Sequence, residues 1–181
     1  MFKKILLVIV LVLAGLAVFA AVQKPEYTVY REVSIQAAPA SIFPYINNTR
    51  EGSRWMPWKE IDPKTEMSYS GPESGVGAKA SWTSPGQMGV GSSTISQTVE
   101  NQSVTFRLEY TKPFPMLQTS DITLTPNGGE SVVRWSVSGK KPFFCRVIGI
   151  FMNMDKMVGG MFDQGLTKLK TLVEQTPVYQ A

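Results

Sequence analysis

Apolar and polar positions alternate along most of this chain, and near the end the pattern changes once to a helical period. In KPEYTVYREVSIQA, Tyr27, Val29, Arg31, Val33 and Ile35 share one face, while Thr28, Tyr30, Glu32 and Ser34 share the other. A period of two is the mark of a strand with one side covered. AAPASIFPYINN reads as a short helix, with Pro39 in its first turn, Ile42, Phe43 and Ile46 at helical spacing, and Asn47-Asn48 as its end. RWMPWKEIDP follows and has neither period, so Trp55 and Trp58 fall in a loop that runs on through MSYSG.

Glycines 71, 75 and 77 mark turns before AKASWTS, where Ala78, Ala80 and Trp82 fall on one side. Strands flank Gly75-Val76-Gly77 rather than a helix, which argues against a phosphate cradle there. GVGSSTISQTVE turns at Asn101-Gln102 into SVTFRLEYT, which puts Val104, Phe106, Leu108 and Tyr110 on one face and Arg107 and Glu109 on the other. LQTSDITLTP turns at Asn127-Gly128-Gly129 into ESVVRWSVSG, with Val133, Trp135 and Val137 in phase. Between Asn153 and Glu174, residues Met154, Met157, Val158, Met161, Phe162, Leu166, Leu169, Leu172 and Val173 recur at three and four, predicting one long amphipathic helix that Thr176-Pro177 ends.

These elements predict an α+β domain: about seven strands in an antiparallel sheet whose one apolar face is covered by a long C-terminal helix. With 181 residues, one domain and one appendage are expected. The appendage occupies residues 1–24 and the domain residues 25–181. From Ile5 to Val22 the chain carries no charge, and a helix of that length spans roughly 27 Å, close to a bilayer's hydrocarbon thickness.

Two readings of this segment stand. It is a signal peptide cleaved near Val18-Phe19-Ala20, or an uncleaved anchor through residues 5–22; its length, beyond the usual signal core, favours the anchor. Lys3 and Lys4 against a lone Lys24 put the N-terminus in the cytoplasm and the domain on the far, periplasmic side, as either a single-pass inner-membrane protein or a secreted one.

Composition narrows the chemistry. The chain has no histidine, which removes Ser-His and Cys-His dyads and imidazole metal ligands. Cys145 is single and sits in apolar FFCRVIGIF, so it reads as a small buried hydrophobe. The net charge of +4 is thinly spread, and Lys140-Lys141 is a solvated strand end rather than a nucleic-acid footprint. No cofactor, metal or nucleic acid is expected. Asn47-Asn48-Thr49 and Asn101-Gln102-Ser103 match the glycosylation acceptor but fit turns equally well.

The residues aimed between sheet and helix are large and adaptable: Trp82, Phe106, Tyr110 and Trp135 from strands, Met154, Met161 and Phe162 from the helix. They form either a solid core or the wall of an apolar pocket. The ordered set REVSIQAAPASIFPYI, RWMPWKEIDP, YSGPESGVGAKASW and MDKMVGGMFDQGLTKLKTLVE resembles the SRPBCC, or START-like, superfamily, in particular its polyketide cyclase/dehydrase-type members, from about Val29 to Val173.

That resemblance implies the helix-grip fold, a curved sheet gripping the C-terminal helix around a hydrophobic pocket. It places Trp55 and Trp58 at the pocket mouth, as plug or rim. The expected ligand-binding set is therefore Trp55, Trp58, Trp82, Phe106, Leu108, Tyr110, Trp135, Met154, Val158, Met161 and Phe162.

Three functions compete. A non-catalytic binder of a hydrophobic small molecule or lipid fits the apolar inward faces. A cyclase or dehydratase would need Glu109 or Asp121, with Arg107 or Arg134, but strand phase turns these outward, where a solvated cross-strand ion pair is expected. An envelope interaction module would expose a patch around Trp55, Trp58, Phe114 and Met116.

Overall fold

The computed structural model describes residues 2–22, 24–140, 146–147 and 154–175. Its elements are α1 (Phe2–Val22), β1 (Glu26–Ile35), α2 (Pro39–Ile46), α3 (Thr49–Gly52), α4 (Trp58–Ile61), β2 (Glu66–Ser70), β3 (Lys79–Thr83), β4 (Val90–Val99), β5 (Ser103–Lys112), β6 (Met116–Asn127), β7 (Glu130–Lys140) and α5 (Met154–Gln175). The seven strands form one antiparallel sheet in the order β1-β7-β6-β5-β4-β3-β2. Register shifts on β4 at Val90/Gly91 and Ile95/Gln97 bend it locally.

The alternation read from sequence sets which face is covered. Ile122 and Leu124 of β6, Val133, Trp135 and Val137 of β7, and Val104 and Phe106 of β5 are buried on the side facing α5. From the helix, Phe162, Leu166, Leu169 and Val173 join the same core, while Met157, expected on that stripe, is exposed. The β6–β7 hairpin turns through Gly128 and Gly129, both at positive φ, the backbone that a two-residue turn of this hand requires.

Two glycines of α5 answer to what lies against them. The Arg31 guanidinium reaches from β1 to Asp155 at 3.0 Å and Asp163 at 3.3 Å, crossing the helix at Gly159, where a Cβ would stand 2.0 Å from it. At Gly165 a Cβ would meet the Trp135 ring at 2.8 Å and Pro57 at 3.3 Å. The helix therefore lies closer to the sheet than any larger residue at these positions permits.

Three sequence expectations change. The stretch Glu66–Ser70, read as loop, is strand β2 at the sheet edge. The tryptophan loop contains two short helices, α3 and α4; Asn48 caps α3 by accepting from the Arg50 and Glu51 backbone N–H groups at 2.8 and 3.2 Å. The expected cross-strand ion pairing of Glu109 or Asp121 with Arg107 or Arg134 does not form among the described residues. Glu109 pairs with Arg107 two residues back on its own strand (2.8 Å), Asp121 accepts from the Thr105 hydroxyl (2.7 Å), and the cross-strand pair is Glu32–Arg134 at 3.1 Å.

At the N-terminus, α1 is helical over the apolar segment. No helix among the described residues is long and apolar enough to cross a membrane; the side chains at positions 8, 12, 13, 16, 17 and 20 fall outside that description. Among the described residues, none of α1 belongs to the buried core, which runs from Val29 to Val173. The described core thus lies wholly within residues 24–181, which are expected to fold without α1. Lys141, Cys145 and Thr176-Pro177 lie outside the described residues.

Candidate functional site

A cavity of about 230 Å³ lies between the sheet and the N-terminal half of α5, near the lower end of the roughly 300–1,000 Å³ usual for ligand sites. Trp58, Trp82, Phe106, Leu108, Tyr110, Trp135, Val158, Met161 and Phe162, all expected from sequence, line it. Trp55 does not. It is fully buried, its indole N–H donates to the Tyr45 carbonyl at 3.0 Å, and it packs edge-on against Trp135 at 5.2 Å. Met154 opens α5, and its side chain lies outside the described residues.

The two tryptophans therefore divide the work left open by sequence. Trp55 is the plug beneath the helix at Gly165, and half-buried Trp58 is the rim, edge-on to Trp135 at 6.3 Å. Of the exposed apolar patch expected around Trp55, Trp58, Phe114 and Met116, Phe114 is exposed, with Leu117 beside it, whereas Trp55 is enclosed and Trp58 and Met116 are half-buried and line the cavity. Trp135 joins the parts of the cavity wall. It stacks on Phe162 with ring centres 4.1 Å apart and donates its N–H to Ser120 Oγ at 2.9 Å.

Sequence reading missed four methionines. Met56, Met67, Met88 and Met116 line the cavity with Met161, so five of the chain's nine methionines surround one space. They come from the tryptophan loop, edge strand β2, the β3–β4 loop and the start of β6, where no apolar stripe marks them. Unbranched thioether side chains repack at little cost, which suits a wall that must fit variable apolar shapes.

The electrostatics are equally plain. Among the described residues no Asp, Glu, Lys or Arg lines the cavity, and none of the acidic or cysteine side chains form a cluster able to hold a metal ion. Its ionisable groups are the phenols of Tyr27 and Tyr110; burial raises the Tyr110 pKa, so that hydroxyl keeps its proton at neutral pH. Trp82, Tyr110 and Met116 also border an open groove shared with Lys79, Arg107 and Glu109, so these three side chains separate the cavity from solvent on that side.

Asp62 is the buried carboxylate nearest to this region in sequence. It accepts from Ser84 Oγ and from the Gly86 and Lys64 N–H groups at 3.0 and 3.2 Å. These bonds, Ser84 first, hold its pKa below the usual carboxylate range. It is therefore an ionised fastener of the β3–β4 loop, not a proton donor.

The comparisons agree with this geometry. Residues 26–174 match the family described as polyketide cyclase / dehydrase and lipid transport, and the chain belongs to it. No curated protein matches the sequence. Among solved structures, truncated norcoclaurine synthase from Thalictrum flavum matches with TM-score 0.62 at 13% identity, covering 86% of this chain and 98% of that one. Protein CV1439 from Chromobacterium violaceum matches with TM-score 0.60 at 15% identity (81% and 96% covered), and protein MLL2253 from Mesorhizobium loti with TM-score 0.59 at 19% identity (84% and 100%). At these identities the likeness is one of fold, the helix-grip, START-like arrangement.

Proposed function

We propose that this domain is a non-catalytic binding protein for a hydrophobic small molecule or lipid, taken up in the cavity between the curved sheet and α5. The observation that carries the reading is the wall itself: aromatic and methionine side chains around an unfilled space, with no charged group among the described lining residues. Affinity comes from apolar ligand surface leaving water, at about 25 cal/mol per Å² before the cost of ordering the partners. The family description includes lipid transport, which fits.

The same reading makes α1 a membrane anchor through residues 5–22, with the domain on the periplasmic side. Its support is the uncharged run from Ile5 to Val22 behind Lys3 and Lys4, and a core that takes nothing from the described residues of α1. The tether, residues 23–25, is short and keeps the cavity within reach of lipid.

An enzymatic reading has its own support in the family description, which names cyclases and dehydrases, and in the name of one neighbour, a synthase. Such chemistry here would fall to Tyr27 and Tyr110, since Glu109, Asp121, Arg107 and Arg134 stand away from the cavity. A phenol whose proton is held by burial is a poor base, which ranks binding first.

The test is uptake of N-phenyl-1-naphthylamine, a neutral apolar dye, by residues 24–181 purified without detergent. The expected result is saturable fluorescence enhancement with one dye per chain. Absence of any saturable uptake contradicts the proposal.

A further inference from the structure

The polar atoms of the cavity wall are gathered in one place. Strand register sets Tyr27 of β1, Gly139 of β7 and Gln118 of β6 in a single row across the sheet. Gly139 has no side chain, so Gln118 Nε2 donates to Tyr27 Oη across β7; a Cβ at 139 would stand 3.1 Å from Gln118 Cγ and 3.5 Å from Tyr27 Cε1. The same amide nitrogen also faces Met116 Sδ at 3.3 Å. Gln118 is only 8% exposed and lines the cavity, yet among the described residues its Oε1 accepts no hydrogen bond.

That oxygen is not fully enclosed, so it can take a donor from a ligand in the cavity. Two residues further along the same face of β6, Ser120 Oγ accepts from the Trp135 indole N–H, which leaves its own O–H to donate. The wall thus offers one acceptor and one donor, on residues two apart along one face of β6. It offers no ion. A carboxylate or ammonium entering there loses its hydration without an opposite charge among the described lining residues to replace it.

We infer that the ligand is an uncharged, hydroxyl-bearing apolar molecule whose O–H donates to Gln118 Oε1. The inference rests on the cavity being a binding site, and it specifies which class of hydrophobic molecule enters. Fatty-acid anions and long-chain amines are selected against, even though their apolar tails match.

The test is displacement of N-phenyl-1-naphthylamine from residues 24–181 near neutral pH by 1-octanol, octanoate and octylammonium, which share one chain length. Octanol displaces the dye at about tenfold or more lower concentration than either ion, because only the ions lose hydration uncompensated. The variant Gln118→Met keeps an unbranched side chain of similar length and removes the acceptor. Its thermal melt reports folding, and octanol's potency falls by about three- to tenfold.

Equal potency of octanol and octanoate overturns the inference while leaving the binding reading standing, as does a folded Gln118→Met protein with unchanged octanol potency. If that variant does not fold, the three-compound series on the unaltered domain still decides. Failure of the dye to bind at all defeats the binding reading itself, and this inference with it.

Discussion

Trp135→Ala is expected to destabilise the domain by about 3–5 kcal/mol, the range for deleting a large buried aromatic side chain. For a domain of this size that lowers the midpoint of thermal unfolding by roughly 6–20 °C. The reason is the number of parts this ring joins. It stacks on Phe162 of α5, receives the edges of Trp55 and Trp58, donates to Ser120, and fills the space opposite Gly165.

Removing it opens a void between helix and sheet and leaves the Ser120 hydroxyl and both loop tryptophans without their shared neighbour. Trp58→Ala, at a half-buried ring on the rim, is the control and costs less. Thermal and urea melts of the two variants check this. A loss below about 1 kcal/mol for Trp135→Ala would mean that the helix is not held through this ring.

Ser93→Phe is expected to abolish dye uptake while leaving the domain folded. Ser93 lies on β4 opposite Ala80 and Leu108 and faces the cavity, so a phenyl ring there projects into empty space rather than into packed atoms. Overpacking a filled core costs about 1–3 kcal/mol; filling a void avoids most of that and adds apolar contacts. Uptake falls by about tenfold or more, and the melting temperature holds or rises. Ala80→Leu, on the neighbouring strand, gives the same result more weakly. Undiminished uptake by both folded variants places the dye elsewhere.

Much of this fold was legible because period-two alternation survives wherever one face of a strand is covered. The phases of β1, β5, β6 and β7 emerged from single residues, as did the C-terminal helix. Strand β2 escaped because it is short and lies at the sheet edge, where only Met67 and Tyr69 are even half-buried. Helix α3 had a readable signal: Asn48 followed by Glu51 is a capping pattern, though followed by no apolar run.

The cavity was half legible. Its aromatic residues sit on strand faces and declare themselves, whereas Met56, Met67 and Met88 occupy loops and edges without period. Nor can any local pattern show that Gln118 meets Tyr27, since the contact depends on three strands in register and on an absent side chain at Gly139. Gly159 and Gly165 of α5 depart from helix propensity in the sequence, but their cause, the close approach of Arg31 and Trp135, exists only in three dimensions.

The most direct measurement is a titration of N-phenyl-1-naphthylamine into residues 24–181 carrying ¹³C-methyl methionine, read by NMR. The methyl groups of Met56, Met67, Met88, Met116 and Met161 should all shift as the dye's rings enter the space they enclose, while exposed Met157 stays in place. Five unmoved signals at saturating dye, or a response confined to Met157, would contradict the account.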